Sequence, residues 1–306
     1  MSQTKEGTIG NAPFDYDSQP KEEVRFCNVC GSSSFADVAK RDRYGLNVSS
    51  HLCLQCGLVF ISPRLKREGY ALFYQEFYRP MVSHYLQKKV DRTTIQDEQK
   101  EYAQEVFTWL APYLTNYCDV LRILDVGGST GIVADTFKRN LTEMNIKANT
   151  TVIDPSPCEL AIAKELGLKT IEGFAEDLDV GENCWDIVLL CQTIDHLLDA
   201  HKAVSAIRDA LVENGLFFVD IVDWEYVVNK KGVEDSIKID HPLNFTKQTV
   251  IPFLGCIGFE IVSESVLTDG HLTGFLCRKA SPCKQVFSRK HAESLLSLVE
   301  KKQTIE

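Results

Sequence analysis

The spacing of apolar positions changes character twice along the chain. Between residues 24 and 62 they fall in short runs around cysteines, and "HLCLQCGLVFISP" (51–63) ends as an apolar strand stopped by proline. The next stretch, "REGYALFYQEFYRPMVSHYL" (67–86), spaces tyrosine and phenylalanine as a helix does. It predicts a helix that packs a small N-terminal unit onto a larger one. From Asp97 to Tyr117 apolar residues recur at three and four, the mark of an amphipathic helix, with a bend near Pro112.

Beyond that helix, strands and helices alternate. "VLRILDVGG" (120–128), "NTTVID" (149–154), "LKTIEG" (168–173), "WDIVLLCQ" (185–192) and "GLFFVDIV" (215–222) read as strands. Between them, "TGIVADTFKRNL" (130–141), "CELAIAKEL" (158–166) and "AHKAVSAIRDAL" (200–211) read as helices, and "TKQTVIPFLGCIG" (246–258) as one more. Such alternation predicts an α/β fold, a Rossmann-like doubly wound parallel sheet with helices on both faces. "FEIVSESVL" and "LTGFLCRK", joined by the turn 268–271, predict an antiparallel ending. The expected organisation is a loose polar tail over 1–23, a small cysteine-bearing domain over 24–75 and a helical connector over 76–118. An α/β domain follows over 119–281, then a C-terminal helix with a frayed end over 282–306.

Composition narrows the function classes. The chain has 306 residues, 44% of them apolar and 25% charged, enough for a full-sized core. No apolar run approaches the roughly 18 residues that span a bilayer, and the N-terminus lacks the apolar stretch of a secretory signal, so a cytoplasmic location is expected. A net charge of −10 gives no overall pull toward nucleic acid.

There are 11 cysteines, an odd number without an export signal, which argues against a disulfide framework. Four stand apart as two C-x-x-C pairs, Cys27 with Cys30 and Cys53 with Cys56. Gly31 and Gly57 follow the pairs and permit the tight turn that aims two sulfurs at one ion. A redox dithiol needs only one such pair, so the doubled knuckle points to structural zinc, an iron–sulfur site being the alternative for four cysteines. His51 lies close enough in sequence to compete as a ligand, and is read as a surface residue of the ribbon. A lobe of this size needs such a staple, because its own core is too small.

Ligands of open α/β sheets bind at the carboxyl ends of the strands, and the first such end is "LDVGGSTG" (124–131). The dinucleotide pattern G-x-G-x-x-G fails in either register. The stretch instead has an acid followed by small residues at alternate places: Asp125, Gly127, Ser129 and Gly131, with Gly128 inside the turn. Here the chain resembles motif I of the class I S-adenosylmethionine-dependent methyltransferases, with Ser129 where glycine is more frequent. That resemblance implies that Asp154, followed by Pro155, accepts the ribose hydroxyls. It implies that "GFAEDL" (173–178), with Phe174, Ala175 and Glu176, forms the adenine loop, Phe174 standing where a carboxylate is frequent and Glu176 or Asp177 supplying the polar contact. It also implies that Asp186 opens the motif IV strand and that Cys191 and Gln192 leave it beside the methionine part of the cofactor.

His196 in "TIDHLL" then falls beside the transferred methyl as the candidate catalytic base, and His241 in "IDHPLNFT" lies on the same open edge toward the acceptor. Asp195 and Asp240 precede them and are candidates to orient them. Tyr78 and Arg79 of the connector are candidates to close over the cofactor. The order of motifs, a double knuckle, "CGLVFISPRL", "FYQEFYR", motif I and "DHPLNFTKQTVIPFLGCIGFEIV", is similar to bacterial methyltransferases of saccharide and natural-product biosynthesis, the sugar C-methyltransferases among them. Those enzymes usually continue into a further C-terminal domain, and with the sequence stopping at Glu306 none is expected here, so their carbon methylation is not carried over. The implied partner is a small acceptor, a saccharide or nucleotide-sugar, methylated at oxygen, nitrogen or carbon. Two other readings are an RNA base methyltransferase that uses the ribbon for recognition, and a non-catalytic binding protein on the same fold. Against the first, the ribbon carries few basic residues and no interleaved aromatic platform.

Overall fold

Strands β6 (Leu121–Val126), β9 (Trp185–Leu190) and β10 (Leu211–Val222) are almost continuously apolar, and they form the centre of the large sheet, covered on both faces. In the computed structural model, residues 14–90, 92–114, 120–267 and 270–305 are described. Beside β6 lie β7 (Ala148–Asp154) and β8 (Lys169–Glu172), and beside β10 lie β13 (Leu272–Lys279) and β12 (Phe259–Leu267), in the order β12-β13-β10-β9-β6-β7-β8. Strands β8, β7, β6, β9 and β10 are parallel, and β13 runs antiparallel to both of its neighbours. The winding of the sheet reverses at β6, with β7 on one side and β9 on the other, so the loops that follow these parallel strands diverge and open a crevice at the carboxyl end. Helices α4 (Ile132–Glu143), α5 (Pro157–Glu165), α6 (Ala200–Ala210), α7 (Trp224–Lys231) and α8 (Lys247–Ile257) follow the strands.

The N-terminal lobe contains β1 (Lys21–Glu22), β2 (Phe35–Ala39), β3 (Ser50–Cys53), β4 (Val59–Ile61) and β5 (Arg64–Leu65). Its main sheet is completed from the other domain. Strand β11 (Leu243–Asn244) pairs antiparallel with β4, giving the order β11-β4-β3-β2, and the Ile61 N–H donates to the Pro242 carbonyl at 3.0 Å. The lobe is therefore fused to the α/β domain rather than tethered to it. Cys27, Cys53, Cys56, Leu58 and Phe60 share one apolar core with Leu190, Val219, Phe245 and Phe253.

The helix expected over 67–86 is present as α1 (Arg67–Leu72), a π-helical turn over Phe73–Phe77 and α2 (Tyr78–Leu86). Helix α3 (Arg92–Leu110) ends in a 3₁₀ turn over Ala111–Tyr113 that contains Pro112, and residues 115–117 of the expected helix lie outside the described residues.

Two expectations fail at the ends of the chain. The loose tail expected over 1–23 is ordered from Phe14 onward: Phe14 and Tyr16 are buried, and the Tyr16 hydroxyl donates to the Pro63 carbonyl at 2.7 Å. Residues 1–13 lie outside the described residues. A polar composition hid two aromatic anchors, whose burial offsets the cost of ordering the segment. At the other end, the expected C-terminal helix is present as α9 (Arg289–Ile305), but it runs on to Ile305 where a frayed tail was expected, and Leu295 and Val299 bury against the lobe while Gln303 donates to the Val38 carbonyl at 2.7 Å. Leu295→Ala should lower unfolding free energy by about 2–5 kcal/mol, read as a shift of the urea midpoint at constant slope.

Candidate active site

The loop after β6 takes three left-handed residues in five, with φ of 73° at Gly127, 48° at Ser129 and 77° at Gly131. Neighbours forbid side chains at the glycines: a Cβ at Gly128 would stand 2.6 Å from the Asp125 carboxyl, and one at Gly131 would stand 2.6 Å from Leu168. Ser129 tolerates its strained φ because the Asp154 carboxylate accepts its N–H at 2.9 Å. The other Asp154 oxygen accepts the Ser156 N–H at 2.8 Å, so this single acid ties together the loops after β6 and β7.

Asp125 is fully buried, and neither carboxylate oxygen has a well-formed hydrogen bond, the Ala134 N–H being only a weak donor. Burial, with Asp154 nearby, pushes its carboxyl up to about 7. A cationic ligand would relieve that cost. Asp220, near the carboxyl end of β10, accepts the Gln192 N–H at 2.6 Å and the Tyr102 hydroxyl at 3.0 Å, and burial raises it to about 6. It thereby holds Gln192 at φ 48° where the chain leaves β9. Cys191 sits next to Gln192, its thiol pushed upward by burial and by Asp125 and Asp220.

The loop after β8 differs from expectation in one respect. Glu176 is buried and accepts the Leu198 N–H at 2.8 Å, so it braces the neighbouring loop instead of offering a spare carboxylate. Asp177 is paired with Lys202 at 2.9 Å and with Arg67, and the Arg67 guanidinium lies 4.2 Å from the centre of the Phe174 ring. Pro155 is exposed and Ala175 buried within these loops. Arg67 belongs to α1, and Arg79 of α2 pairs with Glu159 at 2.8 Å, so the connector grips both sides of the cofactor loops. Tyr78 packs at 5.6 Å from the ring of Tyr74, within the connector's own aromatic cluster.

His196 and His241 come together, their rings 4.6 Å apart and nearly perpendicular. The Nδ1 of His196 lies 2.7 Å from the Asp240 carbonyl oxygen and 2.7 Å from the Tyr74 hydroxyl. A carbonyl only accepts, so Nδ1 carries the proton and Nε2 keeps the lone pair. Burial and the charge of Lys238 hold His196 below the ordinary histidine range, against the opposing pull of Asp240. His241 differs: Lys238 donates to its Nε2 at 3.3 Å, and burial drives it well below that range. The nitrogen a base would use is therefore occupied in His241, which leaves His196 as the basic member.

Of the two expected orienting carboxylates, Asp240 faces His241 Nε2 at 3.8 Å and meets His196 through its backbone carbonyl, whereas Asp195 accepts the Val222 N–H at 3.0 Å, pinning its turn to the end of β10. The sequence reading also missed Tyr74, Tyr102, Asp220 and Lys238. An aspartate inside the apolar run "GLFFVDIV" was a usable signal for Asp220. Tyr74 offered none, because the π turn resets which helix face it joins.

The four cysteine sulfurs gather with all ligand atoms within 4.8 Å of one another. The Cys27–Cys56 and Cys30–Cys53 sulfur pairs stand 3.5 Å apart, close to the about 3.8 Å edge of a tetrahedron with 2.3 Å metal–sulfur bonds and far too long for disulfides. Gly31 and Gly57 take φ of 72° and 82° at the knuckle turns. His51 is not a ligand, since its Nδ1 pairs with Asp37 at 3.1 Å and its Nε2 meets the Ser62 carbonyl at 2.9 Å.

A family model described as a methyltransferase domain matches residues 124–219. A search of curated proteins finds no match. Among solved structures, magnesium protoporphyrin IX methyltransferase from Synechocystis, with bound S-adenosylhomocysteine, is 12% identical and covers 69% of this chain and 100% of its own, with a TM-score of 0.52. The 1,6-didemethyltoxoflavin-N1-methyltransferase of Burkholderia thailandensis is 17% identical and covers 73% of this chain and 96% of its own, with a TM-score of 0.50. These likenesses establish a shared fold, and the domain match falls on the strands that carry Asp125, Asp154 and Gln192. Residues 124–219 therefore match a methyltransferase domain, carried on the fold that this chain shares with those two methyltransferases.

Proposed function

We propose that the enzyme methylates a saccharide or nucleotide-linked sugar, with His196 as the base and structural zinc in the four-cysteine lobe. The observation that carries the base assignment is the 2.7 Å approach of His196 Nδ1 to the Asp240 carbonyl, an acceptor, which assigns the proton to Nδ1 and the lone pair to Nε2. The residues present suit S-adenosylmethionine: Asp125 is a buried acid short of donors, and a Cβ at Gly128 would strike its carboxyl, so the turn leaves the acid room only while glycine stands there. When bound, that cofactor supplies an electrophilic methyl group. Asp154 offers remaining lone pairs to the ribose hydroxyls while it braces the loop with its two N–H contacts. His196 takes the proton of the acceptor group at Nε2 as the new bond forms, and Tyr74 and the Asp240 carbonyl hold the ring through the transfer. Four sulfurs, with no other ligand beside them among the described residues, close the metal shell, so zinc there has no open position for chemistry.

The test is a screen of nucleotide-sugars and small glycosides for cofactor-dependent gain of one methyl by mass spectrometry. Gain only on RNA would overturn the saccharide reading. His196→Ala should slow turnover by about 100- to 10,000-fold while calorimetry shows unchanged cofactor affinity. Asp154→Ala should weaken cofactor binding by about 1.5–3 kcal/mol, measured by the same titration. The pH dependence follows from Asp125, whose carboxyl is pushed up to about 7. The cationic cofactor favours the ionised acid, so affinity should rise as pH increases through about 7 and level off above it. In Asp125→Asn that rise should disappear.

A further inference from the structure

Both loops that carry the histidines are anchored on the cysteine lobe. On the His196 side, Arg64 donates to the Leu198 carbonyl at 2.7 Å, and Asn28, between the first two cysteines, donates to Asp199 at 2.9 Å and accepts the His201 N–H at 3.1 Å. On the His241 side, the Asp42 carboxylate accepts the Ile239 N–H at 3.1 Å, and β4 pairs with β11 immediately after the histidine. The segment is then closed from the knuckle itself. Asn244 donates to the His241 carbonyl at 3.1 Å, while Thr249, in the first turn of α8, donates to the Cys56 carbonyl at 2.9 Å and shares a 3.0 Å contact with Thr246. By contrast, Asp154 bonds to Ser129 and Ser156, and the glycine turn bonds to Ile153, all within the α/β domain.

We propose that the four-cysteine metal site is a positioning device for the histidine pair, setting the Asp240–His241 segment through β4, β11 and Thr249, while the cofactor loops are held by the α/β domain and by Arg67 and Arg79 of the connector. The inference rests on the methyltransferase reading only for what the histidines do. The coupling itself is a property of the chain. The filled site fixes the knuckle backbone, the Cys56 carbonyl and β4 follow it, and the Asp240 carbonyl that sets the His196 tautomer belongs to the segment they hold. Displacement of such a carbonyl by about 1 Å is enough to lose the orientation of a catalytic ring.

The experiment compares the metal-loaded full chain, the same protein after chelation, and a metal-loaded Thr249→Val variant. Each is read by metal content, by calorimetric titration with S-adenosylhomocysteine and by nitrogen NMR of labelled histidines. In the loaded protein, His196 should show the fixed Nδ1–H pattern. In the chelated protein and in Thr249→Val, its two nitrogen signals should move toward a tautomer average, with S-adenosylhomocysteine affinity kept within about threefold. Thr249→Ser, which keeps the hydroxyl, should restore the pattern. Unchanged histidine signals in Thr249→Val would overturn the proposal. So would a loss of S-adenosylhomocysteine affinity in step with the histidine change, which would mean general loosening. If chelation unfolds the chain, the two Thr249 variants decide alone. Failure of the loaded protein to bind S-adenosylhomocysteine would count against the methyltransferase reading and leave the histidine signals to judge the coupling.

Discussion

The pairing of β4 with β11 is the constraint on which the placement of the His196–His241 pair depends. Two residues of the α/β domain complete the edge of the lobe's sheet, and the Ile61 N–H reaches the Pro242 carbonyl just past His241. A sheet edge left open would expose unpaired backbone groups, so closing it from another domain both protects the edge and fixes the loop that closes it. From that junction follow the placement of Asp240, the tautomer of His196 and the sharing of one apolar core between the cysteine knuckles and the large sheet.

The cofactor side is organised by a different principle, buried acids that each hold backbone in unusual conformations. Asp154 stabilises Ser129 and Asp220 stabilises Gln192, both at positive φ without glycine. Strain at these two turns is offset by charge-assisted hydrogen bonds inside a low-dielectric setting. The same burial raises the carboxyls of Asp125, Asp154 and Asp220, which suits a pocket for a ligand that brings positive charge.

The connector joins the two sides. Arg67 meets the loop after β8, Arg79 meets Glu159 beside the loop after β7, and Tyr74 between them reaches His196. One helical segment with a π turn in its middle therefore touches the loops after β7 and β8 at its ends and His196 at its centre, a geometry that an unbroken α-helix, with its fixed 100° per residue, would not present in the same way.

Local chemistry made much of this legible from residues alone. The period of the apolar runs gave the alternating α/β order, the glycine turn marked by Asp125, Gly127 and Gly131 marked the strand end where a ligand sits, and the doubled C-x-x-C announced a four-sulfur cluster. These are short-range properties, set by the steric and coordination limits of adjacent residues. Packing decided the rest. Phe14 and Tyr16 turned an apparent tail into an anchor, α9 became a buttress of the lobe, Glu176 was drawn off to brace Leu198, and a carbonyl rather than a carboxylate came to orient His196. Each of these depends on partners more than 20 residues away in the chain or on a backbone atom that every residue possesses, and neither leaves a mark on the identity of the residues nearby.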